Sequence, residues 1–299
     1  MSELDIPNSA SRPTGSLGFV PTMGALHAGH LSLIQTAAAQ CDEVVVSIFV
    51  NPAQFGPGED FEQYPRSLDA DADAARAAGA NYIYAPAVTD IYPNYPELTV
   101  PQQAGESSVV TPHLMRGLAL DLDLNPGPLA ADWEGAVRPG HFDGVVKVVK
   151  RLFDLVQPDR AYFGEKDFQQ LRVIEDMVDR LQLPVEIVRC PTQRDTRGLA
   201  LSSRNQYLSA AEYETALTIS AALSAARNTV LGGESSAEPI LDAARAQLDP
   251  SIALDYLAIV DEQTLKPVAG VDALRHQCAR IIFAGRVGTT RLIDNQPLS

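Results

Sequence analysis

The sequence predicts an α/β protein: a Rossmann-like, doubly wound parallel sheet followed by a smaller C-terminal α+β domain. Apolar runs that indicate buried strands, such as Val44–Val50, alternate with helical patterns such as Phe142–Val156. This alternation is typical of a parallel sheet that is covered by helices on both faces. Near residue 190 the pattern changes to two helices followed by three strands. We therefore expect a Rossmann-like domain at residues 1–190 and a small α+β lid domain at residues 191–299.

Periodicity and helix-end signals give each element an approximate range. In the first domain we expect a strand at Leu17–Val20, a helix at about His30–Gln40, a strand at Val44–Val50, a helix at Leu68–Ala78, a strand at Asn81–Pro86, a helix at Phe142–Val156, a strand at Arg160–Phe163, a helix to about Leu181 and a strand at Val185–Val188. In the second domain we expect helices at Ala210–Leu231 and Ala237–Leu248 and strands at Leu254–Val260, Ala279–Ala284 and Thr290–Ile293. The long segment Pro93–Ala131 has no clear period, and we expect at most one short helix in it, at Leu114–Leu124.

Composition restricts the class of function. The chain has 299 residues and a formal net charge of −15, from 38 acidic and 23 basic residues. Such a charge argues against a nucleic-acid-binding surface, because those surfaces neutralise phosphates with many cations. The longest apolar run is too short to span a membrane, and no apolar signal sequence precedes it. We therefore expect a cytoplasmic protein without a membrane or nucleic-acid partner.

No set of residues predicts a resident metal site. The cysteines at positions 41, 190 and 278 fit neither a zinc nor a disulfide spacing. Three aspartates alternate at Asp69, Asp71 and Asp73, but on a helix they spread over different faces, so we expect solvated surface there. A histidine pair, His27 and His30, lacks the further ligands that a stable zinc site needs.

The segment Pro21–His30 is the strongest indication of function. It lies between a predicted strand and a predicted helix, where free N–H groups and the helix dipole favour phosphate. Gly24 and Gly29 let a ligand approach the main chain, and His27 and His30 are three residues apart on one side of the first turn. The alternative is an ordinary pair of polar side chains near a helix start.

Three later segments follow predicted strands in the same way. Asn51 and Gln54 suit a ligand's hydroxyl or carboxylate group, although a role in the turn alone explains them as well. Gly164 and Lys166 suit phosphates, against the alternative of a surface Lys–Asp pair. The loop Ser202–Arg204 combines two hydroxyls and a guanidinium that can hold phosphate oxygens, although a helix cap also explains its serines.

Taken together, these motifs closely resemble the pantothenate synthetases. The matching segments are Pro21–His30, Val50–Phe55, Arg138–Phe142, Gly164–Gln170, Leu201–Asn205 and Arg286–Asn295. The likeness runs from about Gly18 to Asn295 and is weak only over the long segment. It implies an AMP-forming ligase that joins pantoate to β-alanine through pantoyl adenylate, with ATP converted to AMP and pyrophosphate.

The resemblance also implies roles for individual residues. Catalysis would involve His30 as the proton donor, with His27, Lys166, Ser202, Ser203 and Arg204. The ATP site would consist of Met23, Gly24, His27, Gly29, His30, Gly164, Lys166, Asp167, Gln193, Leu201, Ser202, Ser203 and Arg204. Gln54, Gln170 and Asn51 would bind substrate, with Gln54 and Gln170 on pantoate and Gln54 also on β-alanine. Mg²⁺ would enter with the triphosphate rather than in a protein cage, and the protein would be a homodimer.

The chain departs from the family pattern in one segment. Pro191–Ala200 has Gln193 at a position that is usually valine, and Arg197 at a position that is usually acidic. We expect Gln193 to contact adenine through its backbone, whereas the sign of the Arg197 effect is open. The segment Leu98–Leu124 also looks longer than in the family. The alternative functions are a related nucleotidyltransferase with another acceptor, an aminoacyl-tRNA synthetase, which the acidic charge opposes, and a catalytically silent nucleotide-binding protein.

Overall fold

The computed structural model describes residues 15–56, 58–93, 124–268 and 279–298. Two compact units make up the chain. The first comprises the described residues within Met1–Gly164 together with Gln170–Cys190, and the second comprises those within Glu165–Gln169 and Pro191–Ser299. Residues 94–123 of the long segment, and with them all but the last residue of the helix predicted at Leu114–Leu124, lie outside the described residues.

The first unit is built on a five-stranded parallel sheet of order β3-β2-β1-β4-β5. Its strands are β1 (Leu17–Thr22), β2 (Glu43–Ile48), β3 (Tyr82–Tyr84), β4 (Arg160–Gly164) and β5 (Glu186–Cys190). The order reverses between β1 and β4, and in open parallel sheets ligands bind beyond the carboxyl ends of the strands at such a reversal. The segment Pro21–His30 begins with the last two residues of β1, and Gly164 ends β4.

Helices fill both faces of this sheet. They are α1 (Ala28–Gln40), α2 (Leu68–Ala77), α3 (Val88–Ile91), α4 (Glu134–Val137), α5 (His141–Val156) and α6 (Phe168–Leu181), with 3-10 turns at Pro52–Gln54 and Pro128–Ala130. The 3-10 turn Glu165–Asp167 and the first two residues of α6 belong to the second unit. Successive strand residues point to opposite faces. Phe19 therefore packs in the cluster that holds α5, and Val20 packs in the cluster that holds α1. The amphipathic stripe of α5 explains why this helix was predicted nearly to the residue.

The second unit is an α+β structure around a three-stranded antiparallel sheet of order β6-β7-β8. Its strands are β6 (Ala253–Asp261), β7 (Ala279–Val287) and β8 (Thr290–Pro297), and its helices are α7 (Ala210–Leu231) and α8 (Ala237–Arg245), with a 3-10 turn at Ser203–Tyr207. Ile219 and Leu223 of α7 pack in one core with Ile281 and Phe283 of β7. A Ser209–Glu212 capping box starts α7 at the predicted residue. The predicted fold class is thereby confirmed.

Some predicted boundaries were wrong by a few residues. Helix α1 starts at Ala28 rather than at about His30, because His27 is its N-cap. Helix α8 ends at Arg245 rather than at Leu248, and β7 and β8 extend beyond their predicted ends. Within the described ranges, no helix is long and apolar enough to cross a membrane.

Candidate active site

The turn after β1 has an unusual backbone. Gly24 has a φ of 83° and Ala25 a φ of 50°, so two consecutive residues are left-handed. The Thr22 hydroxyl accepts the Gly24 N–H at 3.2 Å. Only glycine adopts this conformation without a steric cost, and the adjacent alanine adopts it against one. The turn must therefore be stabilised by contacts outside itself.

His27 and His30 form a pair at the N-terminus of α1. The His27 Nδ1 accepts the Gly29 N–H at 3.1 Å, and the His30 Nδ1 accepts the His27 N–H at 3.4 Å. The two rings are tilted by 33°, with centroids 4.1 Å apart. Because each Nδ1 is an acceptor, each neutral ring carries its proton on Nε2. The pair thus combines two Nε2–H donors with the positive end of the helix dipole, an arrangement that suits phosphate oxygens.

Asp71 stabilises this turn from helix α2. Its side chain was expected in solvent, and that prediction was wrong: Asp71 is only 4% exposed. Its Oδ2 accepts the Ala25 N–H at 2.9 Å and its Oδ1 accepts the Leu26 N–H at 2.7 Å. Residues two apart on a helix point in nearly opposite directions, and Asp71 faces the turn while Asp69 and Asp73 are exposed.

A second group of polar residues surrounds the 3-10 turn Pro52–Gln54. The Gln54 Nε2 lies 2.9 Å from the Met23 sulfur, so two of the predicted ligand contacts lie side by side. Asn51 is buried, and its Oδ1 accepts the Ala53 N–H and the Tyr92 hydroxyl while its Nδ2 donates to the Gly144 carbonyl at 3.1 Å. Burial raises the pKa of Tyr92, so its hydroxyl keeps its proton. Asn51 therefore fixes the turn that presents Gln54.

His141 and Arg138 support the same turn from the start of α5. The His141 Nδ1 lies 2.8 Å from the Gln54 carbonyl oxygen, and its Nε2 lies 3.1 Å from the Arg138 Nη1. Since a carbonyl only accepts and a guanidinium only donates, Nδ1 carries the proton. Burial, with the charge of Arg138, lowers the pKa of His141 to about 4. The Arg138–Phe142 segment contributed to the sequence resemblance, but the sequence did not reveal this contact.

Arg138 is itself held by Glu59. The guanidinium Nε and Nη2 donate to the two carboxylate oxygens at 3.0 and 2.8 Å. Burial acts to raise the pKa of Glu59, but the hydrogen bonds and charge of Arg138 more than offset it and lower the pKa to about 2. Bidentate pairs of this kind fix orientation as well as charge.

Three further predicted residues lie on the elements of the first unit. Gly29 is in the first turn of α1, where its N–H donates to the Nδ1 of the N-cap residue His27. Gly164 ends β4 and pairs with Cys190 of β5. A Cβ at Gly164 would meet no atom of the described residues within 4 Å. Gln170 is half-buried in the first turn of α6.

In the second unit, Lys166 is carried by the turn Glu165–Asp167. The side-chain amide of Asn295 donates to the carbonyl oxygens of Glu165 and Lys166 at 2.9 and 2.8 Å. The Lys166 ammonium lies 3.9 Å from the Asp167 carboxylate. This distance is at the limit of an ion pair, and Asp167 is about half exposed. The weak pair leaves the ammonium available for a stronger anion.

Lys166 and Ser202 line one small surface pocket. The other lining residues are Leu199, Ala200, Asn205, Ile219, Leu292, Ile293 and Asp294. The Ser202 hydroxyl also accepts the Arg204 N–H at 3.3 Å, so Ser202 is the N-cap of the turn Ser203–Tyr207. The capping interpretation and the pocket position are thus both true of this serine. Ser203 and Arg204 follow it in the turn and are half-buried.

The segment Gln193–Leu201 folds back on itself ahead of this pocket. The Leu201 N–H donates to the Gln193 carbonyl at 2.9 Å, and the Asp195 carboxylate accepts the N–H groups of Arg197 and Leu199. The Tyr213 hydroxyl donates to the same carboxylate at 2.6 Å. These hydrogen bonds fix the backbone of Gln193, while its side chain is exposed.

A family model described as pantoate–β-alanine ligase matches residues 3–297. The chain belongs to this family.

Relatives agree with this assignment over nearly the whole length. A pantothenate synthetase of Thermus thermophilus is 47% identical over 287 residues, which cover 96% of this chain and 94% of the relative. One of Acidothermus cellulolyticus is 45% identical over 95% of this chain and 86% of the relative.

Solved structures of the family have the same fold. The Thermus thermophilus pantothenate synthetase matches with a TM-score of 0.82 and 46% identity, covering 97% of this chain and 95% of that one. The pantoate–β-alanine ligase of Francisella tularensis, in complex with β,γ-ATP and β-alanine, matches with a TM-score of 0.68 and 32% identity, covering 95% and 90%.

The sequence departs from the usual pattern of the pantoate–β-alanine ligases at Gln193 and Arg197, and the structure explains how Arg197 is accommodated. Arg197 donates from Nη1 and Nη2 to the two carboxylate oxygens of Glu214, at 2.5 and 2.8 Å. Its guanidinium also lies over the Tyr213 ring, 5.4 Å from the centroid. The added positive charge is therefore balanced by an acid on α7. The exposed side chain of Gln193 makes one long contact, 3.4 Å to the Pro191 carbonyl.

Proposed function

We propose that this protein is an AMP-forming ligase that condenses pantoate with β-alanine to pantothenate, with pantoyl adenylate as the intermediate. The observation that carries the proposal is the pair of Nε2–H imidazoles at the N-terminus of α1. It stands in a chain that the pantoate–β-alanine ligase model matches almost end to end. The Francisella tularensis relative, solved in complex with β,γ-ATP and β-alanine, supports the choice of substrates.

In the first step a carboxylate oxygen of pantoate attacks the α-phosphorus of ATP, and the bond to the pyrophosphate oxygen breaks. Negative charge grows on the pyrophosphate as it leaves. Preorganised donors at that place lower the barrier, because they need no reorientation during the reaction. We assign this role to the Nε2–H groups of His27 and His30 and to the ammonium of Lys166. The donor role that the resemblance implies for His30 would then be a hydrogen bond from its Nε2–H to a departing phosphate oxygen. Ser202, Ser203 and Arg204 would hold further phosphate oxygens.

In the second step the amine of β-alanine attacks the acyl carbon of pantoyl adenylate. The bond between that carbon and the phosphate oxygen breaks, AMP departs with its electron pair, and the nitrogen loses a proton to solvent or base. The amide bond of pantothenate remains. We assign Gln54 to both pantoate and β-alanine and Gln170 to pantoate. Asn51 belongs to this substrate group through the hydrogen bonds that hold the Gln54 turn.

The remaining predicted residues complete the proposed ATP site. Met23, Gly24 and Gly29 would contact the nucleotide through the turn after β1, and Gly164 and Asp167 through the segment after β4. Gln193 and Leu201 would contact adenine and phosphate through backbone atoms. Mg²⁺ would be carried by the triphosphate of the substrate. Within the described residues, no group of three or more His, Cys, Asp or Glu side chains could hold a metal ion.

The test is a two-stage assay on the purified chain. We expect pyrophosphate release from ATP only when pantoate is added, and AMP release only when β-alanine follows. Absence of pantoate-dependent pyrophosphate would overturn the proposal. Pyrophosphate release with a different acceptor would indicate a related nucleotidyltransferase, and ATP binding without turnover would indicate a silent nucleotide-binding protein. The homodimer implied by the resemblance stays a prediction, which light scattering after size-exclusion chromatography would check.

A further inference from the structure

We propose that Asp71 is a positioning residue: its carboxylate fixes the turn from which His27 and His30 reach the phosphates of ATP. The inference rests on the proposed function, because it acts through the histidines that the proposed first step uses. Asp71 is assigned to no ligand in the proposed function. It lies on α2, more than 40 residues further along the chain than the histidines.

The Asp71 carboxylate fills a small anion site made by the turn. Consecutive backbone N–H groups next to a left-handed residue form a concave site for a negative group. Here Oδ2 accepts the N–H of Ala25 at 2.9 Å and Oδ1 accepts that of Leu26 at 2.7 Å. These two N–H groups therefore already donate hydrogen bonds to a side chain of the protein. In the proposed site, the phosphates of ATP would therefore be bound by donors further along the chain, of which the His27 side chain is the first.

The surroundings of Asp71 fit this contact closely. A Cβ on Gly24 would lie 3.0 Å from the Asp71 Oδ2 and 3.1 Å from the Ile48 Cγ2. Glycine at position 24 thus leaves room for the Asp71 carboxylate and also allows the positive φ. The Ser67 hydroxyl donates to the same Oδ2 at 3.1 Å. The buried carboxylate has three donors, which offset the cost of removing its charge from water.

The contact determines the direction of the chain as it enters α1. Leu26 directly precedes His27, whose N–H and Nδ1 both take part in the capping interactions of α1. When Ala25 and Leu26 are fixed, the orientation of the His27 backbone is fixed with them. Preorganised donors give much of the rate enhancement in such sites, since small misplacements are costly. A negative charge here also opposes phosphate binding by Coulomb's law, so attraction to the ligand cannot explain this aspartate.

The test compares Asp71→Asn with Asp69→Asn. Asparagine has the same shape, but it keeps one acceptor oxygen and turns an NH₂ group toward the second backbone N–H. Asp69 lies exposed on the same helix, so its variant removes the same charge without touching the turn. The readouts are the rate of pantoate-dependent pyrophosphate release, the KM for pantoate, ATP affinity by calorimetry, and hydrogen–deuterium exchange of peptides over residues 23–27.

For Asp71→Asn we expect faster exchange at residues 23–27 and ATP affinity and pyrophosphate release about tenfold or more lower, the effect of losing charge-assisted hydrogen bonds. The KM for pantoate should change by about twofold at most, because the Gln54 turn is held by Asn51 and His141 and only the Met23 contact links it to the turn after β1. Asp69→Asn should match the wild type. Unchanged ATP affinity and rate in an Asp71→Asn protein with faster exchange would overturn the proposal, as would an equal loss of pantoate binding.

Two further results keep the outcome clear. If Asp71→Asn does not fold, Ser67→Ala removes one donor to the same carboxylate from an exposed position, and we expect the same losses at about two- to fivefold. Wild-type behaviour of that variant would overturn the proposal. If the wild-type protein releases no pyrophosphate, the proposed function fails, while exchange and ATP affinity still decide the role of Asp71.

Discussion

The side-chain amide of Asn295 holds the backbone of Lys166. Its Nδ2 donates to the Lys166 carbonyl at 2.8 Å and to the Glu165 carbonyl at 2.9 Å, and its Oδ1 accepts from the Arg280 Nη1 at 2.5 Å. The Arg280 guanidinium in turn lies over the Phe168 ring, 4.0 Å from the centroid. Asn295 and Arg280 are each 4% exposed. A residue of the last strand thus determines where the Lys166 side chain starts.

We expect Asn295→Asp to slow pantoate-dependent pyrophosphate release by about tenfold and to lower the free energy of unfolding by ~1–3 kcal/mol. The carboxylate has the same size but cannot donate to the two carbonyl oxygens. Urea denaturation and the pyrophosphate assay measure the two effects. Asn228→Asp adds the same charge at an exposed position of α7 and should change neither. Equal losses in both variants would contradict a specific role for Asn295.

Lys166→Ala and His30→Ala should each slow adenylate formation by more than about tenfold while the proteins stay folded, because each would remove a proposed donor to the departing phosphates. Single-turnover pyrophosphate release measures the step, and circular dichroism checks the fold. Lys147→Ala is the matched control, since Lys147 lies on the face of α5 away from its apolar stripe. Wild-type rates in either folded variant would refute the role of that residue.

Gly144→Ala should raise the KM for pantoate and lower stability by ~1–3 kcal/mol, as overpacking does. The new Cβ would lie 2.4 Å from the Ala53 carbonyl oxygen and 2.7 Å from the Gln54 Cα, so the turn that carries Gln54 has to move. Initial rates at varied pantoate and thermal unfolding test both parts. Asp143→Asn, exposed at the neighbouring position of α5, serves as the control. A destabilised Gly144→Ala protein with unchanged KM would show that Gln54 does not bind pantoate.

Sequence patterns predicted the elements well where one stripe of apolar residues faces one core. Helix α5 and helix α7 are examples, because a stripe and a capping box are local signals. Sequence could not give contacts between residues far apart in the chain. Alternating aspartates on a helix predict solvated surface, which the exposed Asp69 and Asp73 follow, and nothing local shows that the Asp71 carboxylate faces the turn after β1.

The same limit applies to the supporting residues of the candidate site. The resemblance indicated the segments that contain His141 and Asn295, but their partners, Gln54 and Lys166, lie 87 and 129 residues away. From the sequence, the direction of the Arg197 effect is open, because the position of its partner Glu214 is known only from the structure. Direct ligand contacts are concentrated in short motifs, whereas the groups that orient them come from elsewhere in the fold.

Gln193→Val should leave ATP affinity unchanged within about twofold, because the side chain is exposed and the backbone is fixed by Leu201 and Asp195. Arg197→Gln should likewise change stability by less than ~1 kcal/mol, the usual range for an exposed ion pair. Calorimetric titration with ATP and urea denaturation measure these effects. A large change in ATP affinity for Gln193→Val would refute the backbone interpretation and indicate a side-chain contact with adenine.

The buried histidine below the Gln54 turn should make stability depend on pH. The pKa of His141 is lowered by burial, with the charge of Arg138, from 6.5 to about 4, although Glu134 and Glu59 act to raise it. Between these values the unfolded chain binds a proton that the folded chain does not. The free energy of unfolding therefore falls as the pH decreases through this window.

The interval from pH 6.5 to 4.5 isolates this effect from that of Glu59. The pKa of Glu59 is lowered from 4.5 to about 2, so its stabilising contribution is retained above pH 4.5 and lost only below it. Over this interval we expect His141 to contribute a loss of ~2–3 kcal/mol. His141→Asn keeps a donor toward the Gln54 carbonyl but cannot titrate, so urea denaturation should give a flatter pH dependence for this variant. Equal pH slopes for wild type and His141→Asn would show that the histidine is protonated in the folded protein.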